Sequence, residues 1–470
     1  MFSGSNIYYE MAEKTQAIGC GGIGAFHLLS QRIGLVELLD EKVEVLKRHL
    51  PYHESDHVLN IAYNILAGGV RLEDIELRRQ DESFLNGLGA QRIPDPTTAG
   101  DFTRRFSPPD ILSLMEAINQ ARERVWKEQP KGFLSRAVID VDGTLAKTLG
   151  QCKEGMDISY KGIWGYHPLI VSLANTKEVL YIVNRPGNVP SHQGAAEWID
   201  RGINLIKPHA AQVHLRGDTD FSLTGKFDEW DQAGVTFTFG MDANPTLVAL
   251  AEGLSEAQWH GLVRATPEIK TEPRERPENV KEQIVREREF TNIRLQSEQV
   301  AEFDYQPGKC GKSYRMVVLR KNLSIEKGEK VLFDEIRYFF YISNRRDLTW
   351  YEVVQDANQR CNQENVIEQL KNGVNAMRVP VNDLNSNWAY MVMAALAWNL
   401  KAWYGLMVPN REHGMELVKM EFRSFLAAIL MLPAQIIRTG RKIIYRIQGY
   451  NRWLTDFFAT WERLRRLETS

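Results

Sequence analysis

Acidic residues spaced by two at the end of an apolar run are the first places where this sequence offers chemistry. Ala137-Val138-Ile139 leads into Asp140-Val141-Asp142-Gly143-Thr144. On a strand, residues two apart project from the same face. Asp140 and Asp142 are therefore expected side by side at the carboxyl end of a buried strand, where open α/β sheets place their ligands. Two carboxylates that close repel each other, and a cation or a shared proton must compensate them. An Asp-Gly turn is the plainer use of such a pair. A second strand, Gln212-Val213-His214-Leu215-Arg216, runs into Gly217-Asp218. Acids at two strand ends can hold a divalent cation, and phosphoryl transfer usually recruits a further ligand for a second one. Arg360-Cys361-Asn362-Gln363-Glu364, continuing to Lys371, offers it. At about 100° per residue, positions 360, 364 and 371 of a helix fall within about 40° of one another. Arg360, Glu364 and Lys371 then share a face, although a solvated helix with an i, i+4 ion pair looks the same.

For these acids to meet, several strands must lie in one sheet. After the Asp142 strand, 167–173 and 179–183 read as two more, and Asn175-Thr176-Lys177 turns between them as a hairpin. A helix over 194–206, a strand over 212–216, a helix over 224–232 ending at Gly234 and a strand over 235–239 complete a mixed α/β order. Residues 265–290 are charged and proline-bearing, as in a solvated linker or charged helix. They open a β-rich segment with strands at 314–319 and 336–342 and a turn at 306–309. A long helix is expected over 347–371, and a buried one, apolar on most faces, over 388–406.

Outside that region the signals are weaker. Gly19-Cys20-Gly21-Gly22-Ile23-Gly24 is formally a dinucleotide fingerprint, but the residues before it make a poor strand. A turn before a helix is the better reading. Residues 26–127 carry helical periodicity. Within them, Asp95 or Thr97 can cap a helix that a proline starts. Phe102 and Phe106 face inward and leave Arg104 and Arg105 on other faces, which suits the recognition helix of a helix-turn-helix. An ordinary capped helix with solvated arginines fits equally well. The chain closes on a basic stretch containing Arg438, Arg441, Lys442 and Arg463, with Trp453 and Trp461 interleaved.

Composition bounds the class. At 470 residues, with 43% hydrophobic and 25% charged residues, the chain reads as a globular protein of roughly two to four domains. A net charge of -2 excludes a global basic field, so any nucleic-acid surface must be local. Four widely spaced cysteines argue against a disulfide framework or zinc site. The absence of a signal pattern and of a membrane-length apolar run predicts a cytoplasmic protein that makes no use of a membrane.

The order Asp142-Gly143-Thr144, Arg216-Gly217-Asp218, then Arg360-x3-Glu364-x6-Lys371 resembles the DDE transposases of bacterial insertion sequences, in particular the group numbered thirteen-eighty. Gly162 to Leu169, Arg185-Pro186-Gly187-Asn188 and the closing run from Leu432 to Arg441 extend the likeness over about residues 20–450. The resemblance implies an α/β fold with an RNase H-like mixed-sheet catalytic core, a β-rich insertion and an N-terminal helical DNA-binding region. Its expected segments are 1–130 (helical, DNA-binding), 131–250 and 341–410 (core), 251–340 (β-rich insertion) and 411–470 (basic, helical). It implies Asp142, Asp218 and Glu364 as catalytic metal ligands, with Asp140 and Asp220 as rivals for the first two places. Mg²⁺ is the implied cofactor, with Mn²⁺ able to substitute. Two ions about 4 Å apart would clamp the scissile phosphate. The implied partners are double-stranded transposon-end and target DNA, held by a homodimer on paired ends. Arg360, Lys371, Arg104, Arg105, Arg441 and Lys442 are the candidate DNA contacts. Members usually carry Tyr three residues before the Arg, where this chain has Ala357.

Val138 to Leu145 also resembles the opening motif of haloacid-dehalogenase-like phosphatases, which implies Asp140 as nucleophile. Their downstream Gly-Asp-x-x-x-Asp motif is met here by Gly217-Asp218 with Ser222 in the last place. A DNA-binding regulator without catalysis would leave three placed carboxylates unexplained.

Overall fold

The computed structural model describes all residues except 1–7, 10, 12–15, 49–50, 151, 265–279, 329, 441, 450 and 469–470. The chain forms two compact units, one of residues 134–142 and 190–364 and the other of residues 1–133, 143–189 and 365–470.

The first unit is built on a mixed sheet. Arg136–Gly143, Gln212–Gly217 and Thr236–Met241 run parallel, with Asp140 opposite Arg216 and Gly217 opposite Phe239. Parallel neighbours need crossovers, and the helices Ala195–Ile206 and Phe227–Gln232 lie between these strands in the chain. The expected β-rich segment extends the same sheet antiparallel, in the order Thr236–Met241, Lys330–Ser343, Tyr314–Lys327, Thr291–Tyr305 and His260–Gly261. Its strands are longer than their apolar cores suggested, and Thr291–Tyr305 went unread because most of its residues are polar and exposed or half-buried. Phe227 stacks on Phe237 and Phe239, with ring centroids 4.5 and 5.7 Å away, and this fills one face of the sheet.

Helix 347–371 is not continuous. Trp350–Gln359 and Cys361–Glu368 are separate helices divided at Arg360, and a π-helical turn, Gln369–Gly373, follows. Thr349 caps the first, accepting the Glu352 N–H at 3.2 Å while the Glu352 carboxylate accepts the Thr349 N–H at 2.8 Å.

The second unit is mainly helical, including Ile23–Arg32, Glu54–Leu66, Pro96–Thr103 and Pro108–Lys127. The glycine-rich start is a turn into a helix, as read. A Cβ on Gly22 would lie 2.0 Å from the Ile429 carbonyl oxygen, so close backbone packing explains that glycine without a cofactor. The hairpin Leu169–Leu173 with Glu178–Val183 forms as expected. It packs on the helix Leu384–Met407, in which every residue from Ser386 to Met407 is buried. Buried Glu178 binds them together, accepting from Arg122 Nε at 3.0 Å, Trp126 Nε1 at 3.0 Å and Trp403 Nε1 at 2.6 Å. The basic closing stretch is not wholly helical. Within 411–470, Arg411–Lys419 and Leu454–Arg466 are helical, but Ala434–Thr439 and Lys442–Ile447 pair as a hairpin, to which Gln16–Ile18 adds a third strand. Among the described residues no helix is long and apolar enough to cross a membrane.

Candidate active site

The parallel strands deliver two acids to the same end of the sheet, and they are not the pair that spacing alone suggests. Asp140 stands opposite Arg216 in the register, and its carboxylate is taken by that guanidinium through two hydrogen bonds, of 2.7 and 2.9 Å. It is 1% exposed. With both oxygens held inside the sheet, Asp140 is not placed to attack a phosphate ester, so the phosphatase reading loses its nucleophile. Asp142, two residues on, reaches the strand end and remains partly accessible. Asp218 follows the neighbouring strand, and its Oδ1 accepts the Asp220 N–H at 3.0 Å to cap a short 3₁₀ turn. A Cβ on Gly240 would stand 3.0 Å from the Thr219 nitrogen, so this glycine lets the turn settle on the sheet. Asp220 is exposed; its charge helps to raise the Asp218 pKa.

The helix supplies the third acid. Arg360 Nη1 lies 3.2 Å from Asp142 Oδ2 and 4.0 Å from Asp218 Oδ2, and its Nη2 lies 3.8 Å from Glu364 Oε1. Three carboxylates from distant parts of the chain thus face one guanidinium. Burial raises the pKa of Asp218, Asp220 adds to the effect, and Arg360 opposes it. A neighbouring cation favours the ionised form of a carboxyl so placed.

A buried charge network beneath sets the helix. His214 Nε2 lies 2.6 Å from Asp356 Oδ2, and Arg216 Nη1 donates to the Gln359 side chain at 3.2 Å. Burial disfavours the ionised form of Asp356, but the His214 hydrogen bond and the Arg216 guanidinium hold its pKa at about 2. Burial lowers the His214 pKa. Asp356 sits four residues before Arg360, so anchoring it to the strand Gln212–Gly217 fixes where Arg360 emerges at the end of its helix. Sequence reasoning missed His214 and Asp356. The available signal was a histidine inside a strand and an aspartate three residues after Val353 in an otherwise apolar helix face.

The donor set is hard anionic oxygen, the chemistry that Mg²⁺ and Mn²⁺ take. Among the described residues no group of three or more His, Cys, Asp or Glu forms a preformed metal cage; Asp142, Asp218 and Glu364 instead surround the cation of Arg360. A cleft of about 360 Å³ opens beside Asp218 and Arg360, walled by Met241, Tyr338, Tyr341 and Ala357.

Lys371 falls in the π-helical turn Gln369–Gly373, whose pitch departs from the about 100° per residue behind the shared-face expectation. Arg104 and Arg105 are exposed after the helix Pro96–Thr103, and Arg104 pairs with Asp101. Lys442 is exposed at the start of its strand, and Arg441 lies outside the described residues.

Residues 16–469 match the family described as Transposase DDE domain group 1. No curated protein matches the chain. Among solved structures, the cryo-EM structure of a piggyBac transposase synaptic complex with hairpin DNA is similar over 88% of this chain and 84% of that one, with 13% identity and a TM-score of 0.38. The family match runs over nearly the whole chain, and the protein belongs to the DDE transposases.

Proposed function

We propose that this DDE transposase acts on an insertion sequence of the group numbered thirteen-eighty, cutting the ends of its element and joining them to target DNA, with Asp142, Asp218 and Glu364 as the carboxylates of a divalent-ion centre in an RNase H-like core. The observation that carries the reading is the convergence of those three acids on Arg360. Bound Mg²⁺, or Mn²⁺ in its place, would supply Lewis acidity and an activated water or 3′-hydroxyl for in-line displacement at phosphorus.

The protein's own part is positioning and charge. Asp142 and Asp218 follow paired strands, Arg360 ends the helix anchored through Asp356, and Glu364 stands on the helix that follows it. Arg360 offers two parallel donors to a backbone phosphate, the geometry in which guanidinium binds phosphate best. In the first step a water oxygen bonds to phosphorus and the P–O3′ bond breaks, leaving a 3′-hydroxyl at the element end. In the second, that hydroxyl attacks a target phosphodiester and releases a target 3′-hydroxyl. Joining two ends calls for two copies of the chain. Lys371, Arg104, Arg105, Arg441 and Lys442 are candidate phosphate contacts, and the bacterial cytoplasm is the proposed compartment.

Replacing Glu364 by Gln removes a charged ligand while keeping its size. The variant should lose metal-dependent cleavage of the element's terminal inverted repeats by about 10³-fold or more, the scale on which members of a catalytic unit act. Its binding to the same DNA in EDTA should be unchanged. Wild-type cleavage by Glu364→Gln would reject the assignment.

A further inference from the structure

A second cleft, of about 540 Å³, lies in the N-terminal helical region, far in sequence from the three acids. Its floor is aromatic. The His57 imidazole is stacked on Phe102, with ring centroids 4.3 Å apart and planes at 10°, and Tyr52 meets the same imidazole edge-on at 5.6 Å. Tyr52 is fixed by its hydroxyl, which donates to the Ile93 carbonyl at 3.1 Å. Its rim is cationic. Lys47, Arg48 and Arg105 line the cleft and are exposed, and among the described residues none of them is in an ion pair. Asp101, the one carboxylate in the wall, is paired with Arg104.

One atom in this floor has no partner among the described residues. His57 is 4% exposed, and its Nδ1 is buried without a hydrogen bond. Burial pushes its pKa down to about 4, with Asp56 and Glu54 acting the other way, so the ring is neutral near pH 7 and serves as donor or acceptor by tautomer. Buried polar atoms are nearly always satisfied, and an exception calls for an explanation. A bound group with a polar edge would supply the missing bond.

A flat ring with a polar edge, joined to anionic phosphates, matches this combination of stacking floor, unsatisfied imidazole and unpaired cations. The volume lies within the range of small-ligand sites. We propose that the cleft receives one nucleotide of the DNA strand, its base taken out of the duplex, stacked on Tyr52 and hydrogen-bonded to His57, its phosphates on Lys47, Arg48 and Arg105. This rests on the DNA-transposase reading and adds a site that the three acids do not require. Taking a base out of its stack costs the duplex a few kcal/mol, least at a strand end or nick, so the cleft favours DNA that is already cut or frayed.

The test uses the full-length protein in EDTA and a 5′-phosphorylated trinucleotide with 2-aminopurine at its centre, followed by fluorescence. Wild type should quench the probe saturably. Tyr52→Ala should weaken binding about tenfold or more, the scale of losing one base–aromatic stack, and Arg48→Ala should weaken it as well. His57→Phe, which keeps the stacked ring and removes Nδ1, should also bind more weakly at an unchanged melting temperature. If that variant fails to fold, the exposed Arg48 and the half-buried Tyr52 still decide the matter. Absence of quenching, quenching that ignores these substitutions, or displacement by inorganic phosphate at the trinucleotide's own concentration would each overturn the proposal. Glu364→Gln should bind the trinucleotide as wild type does. A protein that binds the probe but never cuts DNA with metal present would sink the transposase reading alone.

Discussion

Asp140 and Asp142 are the same residue type two positions apart, and they have opposite fates. The register that sets Arg216 against Asp140 commits that carboxylate to the interior. No local signal in the sequence reveals which of the two acids faces an arginine across the sheet, and that is why both stood as candidates. Replacing Asp140 by Asn would leave the 3%-exposed Arg216 guanidinium without its main counter-charge. Breaking such a buried pair costs about 3–5 kcal/mol, so Asp140→Asn should lower the urea midpoint by the corresponding amount. A variant as stable as wild type would refute this account of Asp140. Lys401 is the opposite case, a buried cation that pairs with no carboxylate among the described residues. Its Nζ donates to the Val418 carbonyl at 2.7 Å and sits 4.1 Å above the Trp398 ring. Burial, reinforced by the Lys177 charge, pushes its pKa down to about 7. An unfolded lysine titrates near about 10.4. Between those values the unfolded chain holds a proton that the folded one has lost, so stability rises with pH across that window. Below it both states are charged and the penalty is complete. Wild type should therefore gain stability relative to Lys401→Met between pH 7 and about 10, as measured by denaturation at several pH values.

At the scale of elements, the sequence was most legible where periodicity and punctuation agreed. The hairpin at 169–183, the alternation of strands and helices through 241 and the buried helix Leu384–Met407 all followed from it. Pattern failed where neighbours decide the outcome. Thr291–Tyr305 is a strand because Tyr314–Lys327 pairs with it along its length, not because its own residues are apolar. The helix is interrupted at Arg360 and widens to a π-helical turn at Gln369–Gly373, so a constant value of about 100° per residue does not describe the path from Arg360 to Lys371. The third acid was still found, since residues four apart stay neighbours over one turn. The glycine-rich entry is a matter of clearance. With 2.0 Å between a Cβ on Gly22 and the Ile429 oxygen, Gly22→Ala must push two segments apart. Overpacking of this kind costs about 1–3 kcal/mol, and thermal denaturation should show the loss with no effect of added nucleotide cofactors.

For the molecule as a whole, a net charge of -2 means that DNA affinity must come from a few local cations. Each phosphate contact contributes about one counterion to the salt slope. Binding should therefore weaken steeply with salt. Removing Arg104 and Arg105 together should lower the slope of log K against log salt by about one for each that touches phosphate. An unchanged slope would take that surface out of the interface. The chain path carries a different lesson. The segment 134–142, which carries Asp142, belongs with residues 190–364, yet in the sequence it lies between two stretches, 1–133 and 143–189, of the other unit. No single contiguous stretch of gene encodes the acid-bearing unit by itself. Recombination that swaps one cassette between relatives would therefore leave Asp142 with a different parent from Asp218 and Glu364, and the proposed centre would have to work with acids of mixed origin.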